Sequence, residues 1–512
     1  MYFKVLCFVS LFYCIKAYRI LVVYPIPVRS LHILGEGLVK NLLESGHEVT
    51  YVTSFPMTTG HNNLQQIDIS SNKKSLDIED GFSLTSIMNN ELPMNDVKHL
   101  QDMTLSIARA TFEDQNLKDF LADTSQNFDV VVADLYESEI YSGISALYDC
   151  PMIWAYSMGA HWQPMRLIDE PTNPAYTADY LSFNVPPLNF QQRLEELWAQ
   201  IKWTWIKRTH TLPLEKEAFQ NIFEPYFKKR NKILPEYSKL IYNVSLILAN
   251  EHHAFGNIPK IPQNFKLIGG YHIESPAKPL PENLKTFMDN AKHGVIYFSM
   301  GSTWSSKDLP KVVIKQLVKM FGELQQTVIW KFEEELLNLP ANLKIVKWAP
   351  QQSILAHPNC LFFITHGGLL SSTEAIHFGV PIIGIPIYFD QFININKAVS
   401  KGYAIQVQLN YDMPNNLRTA IHTMLKDPIY KHKAKELYTI YHDRPVSPNK
   451  EAVHWVEHVI RTRGAPHLKS LAYTTPFYQK LYLDLAAVIF LIILAVKMLL
   501  FNKKRVTKEK KH

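Results

Sequence analysis

Short apolar runs alternate with amphipathic stretches along most of this chain. Ile20 to Tyr24 is unbroken apolar sequence and reads as a strand buried on both faces. Leu34 to Ser45 places apolar residues at helical spacing and stops at Gly46, a helix C-terminal signal. His47 to Thr53 is the next predicted strand, Phe128 to Asp134 another and Pro151 to Ala155 a third. Residues 160–240 break this rhythm. They are rich in Trp, Tyr, Phe, Pro and Met and predict irregular helices over a ligand cleft. A second strand–helix series follows, with strands at Gly294 to Ser299, Thr327 to Phe332, Lys344 to Val346, Leu361 to Ile364 and Pro381 to Ile387. Between the series, residues 269–283 contain Pro276, Pro279 and Pro281, with Pro262 just upstream, and read as a linker. Apolar strands alternating with helices predict parallel, doubly wound sheets, so the fold class is α/β with two Rossmann-like domains, at 18–275 and 284–465.

The two ends have a different pattern. Residues 1–17 carry Lys4, an apolar run from Val5 to Ile15 and small Ala17, which reads as a signal peptide. Residues 481–501 are apolar except for Asp484 and Lys497. Lys497 can snorkel to the headgroups, so the segment is long enough to be a transmembrane helix. The basic tail at 502–512 then predicts a cytosolic end and a lumenal body. That tail alone carries +5 of the chain's net +6. The body is therefore close to neutral, and a nucleic-acid partner has no support. A length of 512 residues exceeds one ordinary core. Cys7 and Cys14 lie in the leader, and Cys150 and Cys360 remain in the body, read as separate thiols. No zinc-ligand spacing and no Asp-x-Asp metal motif occurs, and no cofactor or metal is expected.

The most specific chemistry lies at 363–391. An apolar strand runs into His366-Gly367-Gly368 and then a helix containing Glu374. After the next strand come Asp390 and Gln391. Glycines let a phosphate approach the backbone, and a helix N-terminus offers free N–H groups and a positive dipole end. Carboxylate and amide groups bind hydroxyls. Together these residues describe a pocket for a nucleoside diphosphate carrying a sugar. Upstream, Gly301-Ser302 forms a turn that can donate to phosphate, while Trp348 offers a flat face for a base and Gln351 an amide for its edge.

This stretch resembles the signature of the UDP-glycosyltransferases, and the likeness extends from Tyr18 into the tail, through Gly46 to Thr50, Arg444 to Pro448 and Arg463 to Leu468. It is closest to the membrane-bound animal branch, with insect-like motif wording. The resemblance implies a GT-B fold, two facing Rossmann-like domains, and inverting transfer of a sugar, glucose by preference, from a UDP-sugar to a small lipophilic acceptor. It assigns Trp348 and Gln351 to the uridine, Ser302, His366 and Gly368 to the diphosphate, Glu374 to the ribose, and Asp390 and Gln391 to the sugar. Lys508 and Lys510 resemble a dilysine retrieval signal, which implies a type I protein of the endoplasmic reticulum membrane with possible homo- or hetero-oligomers. Asn243-Val244-Ser245 is a glycosylation sequon just before an apolar strand, where burial can block it.

The acceptor side departs from the family pattern. The family places a catalytic His shortly after the first strand and an Asp after a later one. Asp134 matches the Asp, but Leu31 stands where the His belongs and His32 follows it. On a helix one residue is a rotation of about 100°. Three readings are open. In the first, His32 reaches the acceptor and pairs with Asp134. In the second, the enzyme works without a base on acceptors that are already nucleophilic. In the third, the chain is a catalytically impaired UDP-sugar-binding paralogue with a regulatory or sequestering role.

Overall fold

A computed structural model describes residues 17–75, 84–89, 96–256, 258–302, 306–473 and 475–509. The expected signal peptide and Lys510 to His512 lie outside these residues, apart from Ala17. The first sheet is parallel throughout, with strands β1 (Arg19–Tyr24), β2 (Glu48–Thr53), β3 (Leu64–Asp68), β4 (Val130–Asp134), β5 (Met152–Tyr156), β6 (Leu246–Ala249) and β7 (Phe265–Leu267) in the order β3-β2-β1-β4-β5-β6-β7. The second holds β8 (Val295–Ser299), β9 (Thr327–Lys331), β10 (Leu343–Val346), β11 (Cys360–Thr365), β12 (Ile382–Gly384) and β13 (Ala404–Gln406) in the order β10-β9-β8-β11-β12-β13. Its pairs are also all parallel. Both orders reverse direction once, between β1 and β4 and between β8 and β11. Such a reversal opens a crevice beyond the carboxyl ends of the strands, where ligands bind.

Helices cover both faces of both sheets, so the central strands β4, β5, β8 and β11 are almost wholly buried and carry continuous apolar runs. Helix Arg29–Glu44 buries Leu34, Leu38 and Leu42 against Ile20 and Val22 of β1. It begins five residues before the predicted start.

Three features differ from the sequence expectation. Residues 190–229 are not irregular. They form two long helices, Phe190–Ile206 and Leu212–Lys229, joined by a π-helical turn, Lys207–Thr211. The turn is held from inside the fold, where Lys207 bridges the buried carboxylates of Glu139 at 2.8 Å and Glu215 at 2.9 Å. The predicted strand at 381–387 shortens to Ile382–Gly384, because the segment beyond it turns back toward the cleft. Finally, the second domain does not run intact to 465. Helix Pro448–Arg461 crosses back to the first sheet, packing Ala452, Val453, Val456 and Val459 into its core, and Glu457 reaches His47 at 3.2 Å. The apolar stripe of this helix is thus one of the contacts that tie the two halves together.

Among the described residues one helix, Leu483–Glu509, carries an apolar stretch long enough to cross a bilayer, Leu483–Phe501, and none of that stretch is buried against the body.

Candidate active site

The carboxyl ends of the two sheets face a cleft of about 630 Å³. All eight residues expected to hold the donor line it: Ser302, Trp348, Gln351, His366, Gly368, Glu374, Asp390 and Gln391. They are spread over 90 residues of sequence, and the β8–β11 crevice brings them together.

The phosphate end is built on helix Leu369–His377, whose N-cap is Gly368. No side chain caps this helix, so its first N–H groups and its positive dipole end remain for an anion. The imidazole of His366 sits between two glycines. A Cβ on Gly301 would lie 2.5 Å from its Cε1, and one on Gly368 would lie 2.6 Å from its Nε2. Gly301 also has φ +86°, so it is required on both counts. Burial holds His366 neutral, with a pKa lowered to about 4, and nearby Lys331 adds to the effect. The His366 Nδ1 has no hydrogen-bond partner among the described residues.

Lys331 was not picked out from the sequence. It ends β9, is nearly buried, and its ammonium donates to the Gly301 carbonyl at 2.9 Å and to Glu333 at 2.6 Å. It lines the same cleft beside His366 and supplies positive charge there. Its position at the carboxyl end of a predicted strand was the available signal.

At the end expected to take the nucleoside, Trp348 is 60% exposed and lines the cleft. Glu374 is buried on the second turn of its helix. It accepts from Gln351 at 2.6 Å and Gln352 at 2.9 Å, and lies 3.3 Å from His272. Burial alone would raise its pKa, but the hydrogen bonds and charge of His272 and the two amides hold it below the ordinary range. His272 and Gln352 were also missed, since nothing local marks a histidine in a linker as a partner of a residue 102 positions later.

At the sugar end, Gln391 accepts from the N–H groups of Ile387 at 2.8 Å and Tyr388 at 3.1 Å. These bonds brace a turn in which Phe389 takes φ +53°, a left-handed conformation costly for a non-glycine residue. The Gln391 oxygen is thereby engaged, and its –NH₂ is the group left to offer a sugar hydroxyl. Asp390 accepts from Asn394 at 2.8 Å, and burial pushes its pKa up to about 6.

On the acceptor side the structure overturns one expectation. Leu31 lines the cleft and His32 does not. Both lie in the first turn of helix Arg29–Glu44, so adjacent residues point about 100° apart. Leu31 packs with Ile26 and Ile107. His32 is fully buried, with Nε2 2.9 Å from the Ile26 carbonyl and Nδ1 2.7 Å from the Thr53 hydroxyl. Its ring also contacts Phe55. Burial lowers its pKa to about 3. Both ring nitrogens serve the fold, and His32 does not pair with Asp134. Asp134 is buried among Tyr24, Tyr136, Tyr141 and Tyr271, neither carboxyl oxygen is hydrogen-bonded among the described residues, and burial raises its pKa to about 8. The remaining acceptor wall is apolar and aromatic, including Val28, Ile33, Tyr136, Met158 and Phe389.

Away from the cleft, Asn243 is exposed and its amide oxygen accepts from Lys469 at 3.3 Å, whereas Ser245 of the sequon is buried at the start of β6. Cys150 and Cys360 are separate free thiols.

Two facing Rossmann-like domains with an uncapped helix N-terminus behind a glycine loop on one side of the cleft and an apolar wall on the other match the architecture of a GT-B glycosyltransferase. The family model described as "UDP-glucoronosyl and UDP-glucosyl transferase" matches residues 21–512. UDP-glucosyltransferase 2 of the insect Dactylopius coccus is 34% identical over 472 residues, covering 91% of this chain and 88% of its own. UDP-glucuronosyltransferase 2B15 of Rattus norvegicus is 28% identical over 508 residues, covering 93% and 91%. Among solved structures, the kitacinnamycin glycosyltransferase superposes with a TM-score of 0.58 at 17% identity, over 86% of this chain and 99% of its own. The calicheamicin glycosyltransferase CalG4 gives 0.56 at 16%, over 87% and 99%. The chain belongs to the UDP-glycosyltransferase family and is a sugar-transferring enzyme of GT-B fold.

Proposed function

We propose that this enzyme transfers glucose from UDP-glucose, with inversion, to small lipophilic acceptors that bring their own nucleophile, such as acidic phenols, carboxylic acids and amines. The observation that carries this reading is the exchange at the acceptor wall, where Leu31 faces the cleft and Asp134 is left without a partner. A general base contributes typically 10²–10⁴-fold, so its loss falls hardest on acceptors whose proton must be removed during attack. An ionised phenol or carboxylate attacks the anomeric carbon directly, or an amine attacks through its lone pair and then releases its proton to water; the bond to UDP breaks, and the electron pair leaves on the β-phosphate oxygen. The helix N-terminus at Gly368, His366 and Lys331 would hold that charge, which supports transfer without a metal ion. The apolar wall supports a lipophilic acceptor. The insect relative's name supports glucose, and the rat relative's name makes UDP-glucuronic acid the competitor to test. The apolar helix followed by basic residues supports a type I membrane anchor with the body lumenal.

The test is UDP release by membranes expressing the full chain, with each UDP-sugar and acceptors graded in acidity. Turnover of acidic phenols and carboxylic acids but not alcohols, unchanged by EDTA, is expected, with Leu31→His extending the range to alcohols. Wild-type turnover of simple alcohols that Leu31→His does not improve would refute the reading. The orphaned Asp134 favours a second reading, the impaired UDP-sugar-binding paralogue. Silence on every acceptor with UDP binding intact would select it.

A further inference from the structure

Helix Phe190–Ile206 turns large apolar side chains outward. Phe190, Leu194, Leu197, Trp198, Ile201 and Trp205 are all exposed, Phe190 by 75% and Trp205 by 69%. At about 100° per residue these six fall within one arc of about 100°. The opposite side holds the helix to the body. Buried Trp203 donates to Glu137 at 3.0 Å, and buried Glu196 accepts from the Asp179 N–H at 2.7 Å. An Asn189–Gln192 capping box fixes the helix start. The helix is therefore held to the body on one side and turns out an apolar face that no described residue buries. Arg193 and Lys202, both exposed, flank that face. Two indoles and a phenyl ring between flanking cations match the headgroup boundary of a bilayer, where aromatic rings partition and basic side chains meet phosphates.

The chain's own anchor points to the same side of the body. Gln200 of this helix donates to the Thr172 carbonyl at 2.9 Å. In the same loop, Asp169 accepts from Ser470 at 2.6 Å and Glu170 pairs with Lys480 at 3.5 Å. Lys480 lies three residues before the apolar helix at Leu483. The outward face and the start of the anchor thus share one loop.

We propose that helix Phe190–Ile206 lies in the membrane interface as a second lipid contact, apolar face down, and so fixes the tilt of the body over the bilayer. This rests on the membrane-anchored reading. A helix of 17 residues is about 25 Å long, so a contact of that length beside a single anchor would stop the body from swivelling.

The test uses the full chain in phosphatidylcholine vesicles, with one environment-sensitive dye on a single introduced cysteine and labelled wild type as background for Cys150 and Cys360. Dyes at Leu194→Cys and Ile201→Cys are expected to be quenched by doxyl-labelled phosphatidylcholine several-fold more strongly than at Lys426→Cys, an exposed site on the second domain. They should also be protected from aqueous iodide. Each variant is first shown to bind UDP like wild type. Iodide quenching at 194 and 201 equal to that at 426 would overturn the proposal. So would protection without lipid quenching that grows with protein density, since the face would then cover a second copy. Leu491→Cys in the anchor separates the two readings. If its dye escapes lipid quenching, the anchor reading fails and this proposal with it. If it is quenched while 194 and 201 are not, this proposal alone fails.

Discussion

Replacing Asp134 by Asn tests how this acceptor side is built. Asp134 sits at the end of β4 with both oxygens unpartnered and a pKa raised from 3.8 to about 8 by burial. A carboxyl whose folded pKa lies above its unfolded value favours the native state fully below the unfolded value and loses that contribution as pH rises. Between pH 3.8 and 8 the unfolded chain has released this proton and the native chain retains it. Stability therefore falls by about 1.4 kcal/mol per pH unit across that window. At pH 7 the accumulated cost is at most about 4 kcal/mol, and between pH 5 and pH 7 it changes by about 3 kcal/mol. Asn is close in shape to the neutral acid and carries no proton to lose. Asp134→Asn should exceed wild type only slightly in Tm near pH 5 and by several degrees more at pH 7 to 7.5. The assay is thermal unfolding of the full chain in detergent at both pH values. The same difference at both would mean that Asp134 is ionised and partnered in solution. The account of an orphaned carboxyl, and of Leu31 as the cause, would then be wrong.

Trp348→Ala should weaken UDP binding by about 5- to 150-fold in titration calorimetry, since stacking on a base is worth roughly 1–3 kcal/mol, while Trp348→Phe should lose much less. UDP binding should take up a proton near pH 5 to 6, because a diphosphate beside His366 favours the imidazolium that burial now suppresses, and the binding enthalpy should then depend on the buffer's ionisation heat. His32, His161, His252 and His377 are each held by burial at a pKa of about 3. Their stability contribution is complete above the unfolded value of 6.5 and should be lost as pH falls from there toward 3, seen as a falling Tm, which His32→Gln should soften.

The glycine loop and helix start that line the cleft were legible in the sequence because their determinants are local, whereas Lys331 and Gln352 beside them were not. A strand, two glycines and a helix start are consecutive residues, and their backbone geometry follows from their identities whatever packs around them. The same holds for the apolar strands, whose burial on both faces is written as unbroken hydrophobic runs. What tertiary structure alone decided was direction and partnership. Leu31 and His32 sit in one helical turn, and only the packing of that helix on β1 selects which of them faces the cleft. Helix Pro448–Arg461 has an amphipathic stripe that any sheet could bury, and only the folded chain shows it crossing to the first. The outward apolar arc of Phe190–Ile206 read in the sequence as part of an irregular cover over a ligand cleft, because composition and periodicity show that residues are apolar or share a face but not whether protein, water or lipid lies against it.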